Sequence, residues 1–189
     1  MSALQKKESY SFEDWSSWDE DMRAEIIDGT LYMMAQPTQR HQEIVGEIYR
    51  QIANYLVGKR CKVFPGNFGV NLFPSTDKRK RNKKDTILVP DITVVCDLSK
   101  LDGKVCNGPP DMVVEVLSPS TAQADRLIKL KQYLQAGVQE YWIVDPECEM
   151  VNVHILQNEN YSVIPYGKED TITVNVLEGC EVELRSVYG

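Results

Sequence analysis

The architecture is predicted most directly from residues 111–145, DMVVEVLSPSTAQADRLIKLKQYLQAGVQEYWIVD. The opening apolar run with one acid, Glu115, in its middle is typical of a buried strand. A helix should follow, since Ser120 and Gln123 have capping-box spacing and Gly137 is placed as a C-terminal stop. A second apolar run ends the stretch. This order predicts two strands of one sheet joined by a crossover helix.

Strands are also predicted on both sides of this crossover, with one more helix before it. The preceding elements are a hairpin across Asp28-Gly29, a helix over residues 38–57, strand or extended structure over 61–73, and a buried strand interrupted at Pro90. The following elements are a hairpin across residues 158–160 and a last strand, TITVNVL. We therefore expect an α/β (α+β) fold, in which helices flank a central mixed sheet.

Composition indicates one globular unit. The chain has 189 residues, 42% of them hydrophobic and 26% charged, so we expect a flexible N-terminus over residues 1–8 and a single domain over 9–189. Five cysteines with no close pair and two histidines lead us to expect neither a zinc site nor a disulfide framework. No apolar run is long enough to span a bilayer, and the polar start is unlike a signal peptide, so we expect no membrane and a cytoplasmic location.

The charge is unevenly distributed. The formal net charge of −7 divides into +8 over residues 58–84 and −15 over the remainder. Most of the positive charge comes from one cluster, formed by Lys78, Arg79, Lys80, Arg81, Lys83 and Lys84. Such a cluster can contact nucleic-acid phosphates whatever their sequence. The alternative, an ordinary solvated loop, stays open.

Two acids stand out because they lie on apolar strands. Asp91 opens one strand and Glu115 interrupts another, where it shares a face with Val113 and Leu117. A buried carboxylate costs several kcal/mol, about 3–5 when left unpaired, so each acid needs a cation or hydrogen-bond donors. One alternative is a separate ion pair or backbone cap for each acid. If the strands are neighbours, however, the carboxylates converge and suit Mg²⁺.

The helix after Glu115 carries a polar stripe. Asp125, Lys129 and Tyr133 fall at positions i, i+4 and i+8, which lie on one helix face. This stripe is either an ordinary helix surface or a face turned toward the two acids. Lys131 competes with Lys129, because the periodicity alone leaves open which lysine faces the sheet.

These motifs together resemble a known nuclease family. The runs VPDITVV, PPDMVVEVLSPST, DRLIKLKQY and AGVQEYWIVDP, preceded by EIIDG and His41, resemble the Uma-type family of restriction endonucleases in the PD-(D/E)XK superfamily. The resemblance covers roughly residues 10 to 185 and implies a restriction endonuclease-like core.

The resemblance also implies roles for individual residues. Asp91 and Glu115 would hold Mg²⁺ (or Mn²⁺), with Glu25 as a further ligand or, alternatively, a partner in a hairpin salt bridge. Leu117 stands where the superfamily has its catalytic lysine, and the family supplies that lysine from the following helix, at Lys129. Supporting roles fall to His41, Asp125 and Tyr133.

The expected function is Mg²⁺-dependent endonucleolytic hydrolysis of DNA, with a homodimer plausible because two symmetry-related sites cut both strands most easily. The alternative is a catalytically silent nucleic-acid-binding or protein-interaction module on the same fold. Convergence of Asp91, Glu115 and Lys129 in one cleft would favour the enzyme. Two-carboxylate glycoside hydrolysis is a third reading, which leaves the basic cluster unexplained.

Overall fold

The computed structural model describes residues 7–19, 22–74, 84–118 and 124–189, with residues 124–126 described by their backbone alone. The helices are α1 (Phe12–Ser16), α2 (Gln39–Tyr55), α3 (Ala124–Ala136) and α4 (Leu184–Tyr188). The strands are β1 (Ala24–Ile27), β2 (Thr30–Met33), β3 (Lys62–Pro65), β4 (Gly69–Asn71), β5 (Ile87–Leu88), β6 (Ile92–Val95), β7 (Val105–Asn107), β8 (Met112–Val116), β9 (Glu140–Asp145), β10 (Met150–Gln157), β11 (Asn160–Gly167), β12 (Thr171–Thr173) and β13 (Glu181–Glu183).

The strands form two large mixed sheets and one small one. The six-stranded sheet has the order β11-β10-β9-β8-β6-β3, the five-stranded sheet has the order β2-β1-β5-β4-β7, and β12 pairs with β13. Strands β8 and β9 pair in parallel, as do β4 and β7, and the other pairs are antiparallel. The predicted α/β class with mixed sheets flanked by helices is confirmed.

The predicted crossover lies in the middle of the six-stranded sheet. Strands β8 and β9 are parallel neighbours and α3 connects them. Gly137 ends the helix at φ +81°, where its N–H donates to the carbonyl of Tyr133, as expected of a glycine cap. The predicted start of this helix, at Ser120 and Gln123, lies outside the described residues.

Helix α2 covers one face of the six-stranded sheet. The Thr38 hydroxyl caps the helix by accepting from the backbone N–H of His41. Ile44, Ile48 and Ile52 are buried along one stripe and belong to a core formed with β6, β8, β9, β10 and the C-terminal segment. The period of three and four residues in the sequence therefore predicted this helix and its buried face.

The five-stranded sheet and α3 cover the opposite face. Val113, Tyr141 and Ile143 of the six-stranded sheet pack there with Tyr133 of α3 and with residues of β1, β4 and β5. Because side chains alternate along β8, Glu115 lies on this same face as Val113. The acid is therefore placed between two packed layers.

The strands around the crossover differ in part from the expectation. Both predicted hairpins form, with positive φ at Asp28 and Gly29 in the first and at residues 158–159 in the second. The interruption at Pro90 separates two strands in different sheets, β5 and β6, rather than two parts of one strand. The last predicted strand is limited to β12, and the short helices α1 and α4 were not predicted.

The expectation of no disulfide is wrong for one cysteine pair. Cys61 and Cys96 form a disulfide, with their Cα atoms 4.0 Å apart. Cys61 precedes β3 and Cys96 follows β6, and these strands pair antiparallel with Lys62 opposite Val95. Sheet pairing thus brings together two cysteines 35 positions apart.

Within the described ranges, no helix is long and apolar enough to cross a membrane.

Candidate active site

A cavity of about 150 Å³ receives side chains from both large sheets and from α2 and α3. Its histidine and charged lining residues are Arg23, Glu25, His41, Asp91, Glu115 and Lys129. Residues from five separate parts of the chain thus meet at one place. All of them except Arg23 were predicted as site residues from the sequence.

Asp91 and Glu115 lie on neighbouring strands. Strands β6 and β8 pair antiparallel with Ile92 opposite Val114, and one further step in that register places Asp91 opposite Glu115. The backbone N–H of Val116 donates to Asp91 Oδ2 at 2.8 Å. The two carboxylates therefore approach each other from adjacent strands, as the strand pattern suggested.

Lys129 enters this site from α3. Its Nζ donates to Glu115 Oε1 at 3.0 Å and to Glu25 Oε1 at 2.9 Å. The side chains of Lys129, Glu115 and Glu25 are only 13%, 14% and 6% exposed, respectively. Lys131, by contrast, is exposed. The structure therefore turns Lys129 and not Lys131 toward the acids.

Glu25 is the third acid of the cavity. It lies on β1, and its Oε1 also accepts from the backbone N–H of Val89 at 2.8 Å. Glu25 forms its ion pair with Lys129 of α3. The alternative prediction was a salt bridge within its own hairpin. Glu25 thus joins the five-stranded sheet to the helix that carries Lys129.

Burial shifts the protonation equilibria of these groups. It raises the pKa of Glu115 to about 7, an effect that Lys129 opposes and that the charges of Glu25 and Asp91 reinforce. Burial lowers the pKa of Lys129, but the charges of Glu115 and Glu25 outweigh it and raise that pKa above its usual range. A further cation beside Glu115 would favour its ionised form.

His41 contacts Asp91 from the first turn of α2. Its Nε2 lies 3.2 Å from Asp91 Oδ2. Burial lowers the pKa of His41, but the hydrogen bond and charge of Asp91 raise it by more. His41 therefore lies within ion-pair distance of the acid that it is predicted to support.

Tyr133 supports the other acid. Its hydroxyl donates to Glu115 Oε1 at 2.8 Å, and burial together with the charge of Glu115 raises the pKa of the phenol. The side chain of Asp125, which shares the predicted stripe, is outside the described part. Residues 78–83 of the basic cluster also lie outside the described residues, while Lys84 is exposed.

The acids do not form a ready-made metal cage. In the described ranges, no group of three or more histidine, cysteine, aspartate or glutamate side chains is placed to hold a metal ion. Lys129 donates to the Oε1 atoms of both Glu25 and Glu115, so Glu25 as a further ligand stays a prediction.

A two-carboxylate donor set is nevertheless present. Among the described residues, Asp91 Oδ1 and Glu115 Oε2 accept no hydrogen bond, since the donors around these acids contact Asp91 Oδ2 and Glu115 Oε1 instead. Mg²⁺ characteristically takes one or two protein carboxylates and completes its shell with water and substrate oxygens. The residues present therefore fit such an ion.

Arg23 is the charged lining residue of the cavity that was not predicted from the sequence. It directly precedes β1, and its carbonyl accepts from the N–H of Met34, which continues the pairing with β2. Residues two positions apart on a strand share a face, so the signal was its spacing of two from Glu25. Arg23 lines the same cavity as Glu25.

Two known proteins are similar to this chain over most of its length. A protein of Synechocystis sp., named "Uncharacterized protein slr1290", is 24% identical over 164 residues, which cover 85% of this chain and 82% of that protein. A crystal structure from Anabaena variabilis, titled a putative nuclease belonging to DUF820, superposes with a TM-score of 0.74 at 19% identity. The superposition covers 94% of this chain and 97% of the Anabaena chain, so the two share a fold.

The family comparison covers nearly the whole chain. A family model described as "Uma2: Putative restriction endonuclease" matches residues 10–185. This range includes both large sheets and every described residue of the cavity. The chain therefore belongs to the Uma2 family of restriction endonuclease-like proteins.

Proposed function

We propose that this chain is a Mg²⁺-dependent endonuclease that hydrolyses DNA phosphodiester bonds. The observation that carries the proposal is the contact of Lys129 with Glu115, at 3.0 Å, in the cavity that also contains Asp91. This contact brings a buried cation to two adjacent acids, even though Leu117 occupies the position where the superfamily usually has its lysine.

Asp91 and Glu115 are the residues that would hold the divalent cation, with the main-chain carbonyl of Val116 as a further candidate ligand. When bound, Mg²⁺ or Mn²⁺ would polarise the scissile phosphodiester and offset its negative charge. The oxygen atoms of the two acids that accept no hydrogen bond from the described residues support this assignment.

The chain's own groups position the reactants. Lys129 would orient the attacking water and stabilise charge that develops on the phosphoryl oxygens, as a fixed cation does in a partly buried site. His41 and the N–H of Val116 hold Asp91, while Tyr133 holds Glu115. These contacts fix the side chains before a substrate arrives, which lowers the reorganisation needed during reaction.

The remaining assignments follow from the substrate. The basic cluster would contact phosphates beside the cleft and supply salt-dependent affinity. A homodimer would present two sites to the two strands of a duplex. We place the enzyme in the cytoplasm, where DNA substrates are reached without export.

A catalytically silent binding module is the second candidate. The observation in its favour is that Lys129 is already paired with two carboxylates. The enzyme is favoured because Asp91 lines the same cavity as the Lys129–Glu115 pair, and hydrolysis needs two acids and a cation at one place. Cleavage separates the two candidates, whereas DNA binding does not.

Plasmid nicking tests the proposal. We expect nicking that requires Mg²⁺ or Mn²⁺ and falls about 100-fold or more in Asp91→Asn, Glu115→Gln and Lys129→Met. The matched controls are Lys131→Met, which removes an exposed lysine of the same helix, and Glu147→Gln, which removes an exposed acid. Nicking that persists in the Asp91 and Glu115 variants would refute the site. Binding without nicking in the parent chain would favour the silent module.

A further inference from the structure

Arg23 is a cavity residue with an unsatisfied donor in its guanidinium group. Its Nε is buried and has no hydrogen-bond partner in the part of the chain that the structure describes. A buried donor left unpaired carries a desolvation cost that no hydrogen bond offsets. Such a cost is unusual for arginine, whose five N–H groups are normally directed at carboxylates, phosphates or carbonyls.

The other cations of the cavity are already neutralised. Lys129 is paired with Glu25 and Glu115, and His41 is paired with Asp91. None of the described ion pairs includes Arg23, although three acids line the same cavity. The positive charge of Arg23 is therefore available to an anion from outside the chain.

We propose that Arg23 binds a backbone phosphate of the nucleic acid next to the phosphate that is cut. The proposal rests on the proposed function, since it assumes a phosphodiester in this cavity. The ligand is the phosphate diester anion itself, because a guanidinium offers paired donors that match two phosphate oxygens.

The strand geometry supports a neighbouring phosphate rather than the reacting one. Arg23 directly precedes β1 and continues its pairing with β2, so its Cα lies about 6.6 Å from that of Glu25, two positions along. This spacing is comparable to that of successive phosphates along one nucleic-acid strand. With the reacting phosphate beside Lys129, which Glu25 holds, the next phosphate falls within reach of Arg23.

The test measures binding without turnover. Fluorescence anisotropy of a short labelled duplex is recorded with the full chain in Ca²⁺ over a series of salt concentrations, for the parent and for Arg23→Gln. We expect affinity to fall about tenfold or more, and the slope of log Kd against log salt to become shallower by about one unit, as when one phosphate is no longer neutralised. Arg23→Lys should retain the slope and lose less affinity, because it keeps the charge but not the paired donors.

Arg185→Gln is the matched control, since Arg185 is 79% exposed and lies 3.1 Å from Glu169. This variant should change neither the affinity nor the salt slope. An unchanged slope in Arg23→Gln would overturn the inference, as would a parent chain that binds no duplex. Thermal melting monitors folding of the variants. If both Arg23 variants are unfolded, Arg23 is needed for folding, and this result would also overturn the inference.

The failure of this inference is distinguishable from failure of the endonuclease. A parent chain that binds duplex through Arg23 but never nicks it would refute the proposed hydrolysis and leave the phosphate site in place. A parent chain that nicks duplex, but whose salt slope is unchanged in Arg23→Gln, would refute the phosphate site and leave the proposed hydrolysis in place.

Discussion

The phenol of Tyr133 donates a 2.8 Å hydrogen bond to Oε1 of Glu115. The same oxygen accepts from Lys129, so two buried donors from successive turns of one helix hold one carboxylate oxygen. The other oxygen, Oε2, accepts no hydrogen bond from the described residues. We therefore expect Tyr133 to act on the site through the orientation of Glu115.

Tyr133→Phe should loosen this carboxylate while keeping the buried ring. We expect nicking to fall about tenfold, as for loss of a residue that orients a metal ligand. The free energy of unfolding should fall by about 1–2 kcal/mol, because one buried hydrogen bond to an acid is removed. Nicking rates and urea unfolding measure the two effects.

Tyr161→Phe is the control for that prediction. The Tyr161 hydroxyl donates to the carbonyl of Val138 at 2.9 Å, outside the cavity. We expect a loss of stability with full nicking activity. Equal losses of nicking in both tyrosine variants would show that Tyr133 matters only for folding.

Glu140 should make stability depend on pH. Burial raises the pKa of this carboxyl above the ordinary value of 4.5, against the opposing hydrogen bonds from Trp142 and the N–H of Val176. The native state therefore keeps the proton to a higher pH than the unfolded chain, and stability from this residue declines as pH rises from about 4.5 through the raised pKa. Glu140→Gln does not titrate, so the parent should lose stability relative to this variant across that window.

Urea unfolding at several pH values measures this difference. The exposed Glu147→Gln, which removes an acid of the same type, is measured alongside as the control. A pH-independent difference between the parent and Glu140→Gln would contradict the raised pKa.

The predictable part of the fold was local. The two-residue period of DMVVEVL placed Glu115 on the face of Val113, and the structure has both on the side that packs against the five-stranded sheet. The stripe on α3 likewise brought Tyr133 to the acid. In both cases a repeat within one element determines which way a side chain points, and sequence alone displays that repeat.

The unpredicted part depended on contacts between distant segments. Pro90 separates strands that enter different sheets, and this switch leaves no periodic signal in the residues around it. The choice between Lys129 and Lys131 depended on how α3 rotates against the sheet, which packing decides rather than helix period. Arg23 was overlooked because its spacing of two from Glu25 becomes significant only when the fold places both residues at one cavity.

The disulfide between Cys61 and Cys96 should be visible in a thiol count. The denatured chain should expose three reactive thiols before reduction, those of Cys106, Cys148 and Cys180, and five after it. Reduction should lower the free energy of unfolding by about 2–4 kcal/mol, since it releases a cross-linked loop. In a reducing cytoplasm the bond is expected to open.

Two variants control for other effects of the reductant. Cys61→Ser should show no response to reductant, whereas Cys148→Ser, which lacks an exposed free thiol, should respond like the parent. Identical unfolding of the parent with and without reductant would exclude a stabilising role for the bond.

The basic cluster should supply the salt dependence of DNA binding. Replacement of Arg79, Lys80 and Arg81 by serine should weaken duplex binding and reduce the slope of log Kd against log salt by up to about three units, near 0.9 for each phosphate that is no longer neutralised. Nicking at saturating DNA should stay close to the parent rate, because these residues are proposed to bind flanking phosphates and not the group that reacts. The matched control replaces the exposed cations Arg50, Lys104 and Arg185 by serine, which changes the net charge by the same amount. An equal reduction of slope in both triple variants would show that net charge, and not the position of the cluster, governs the affinity.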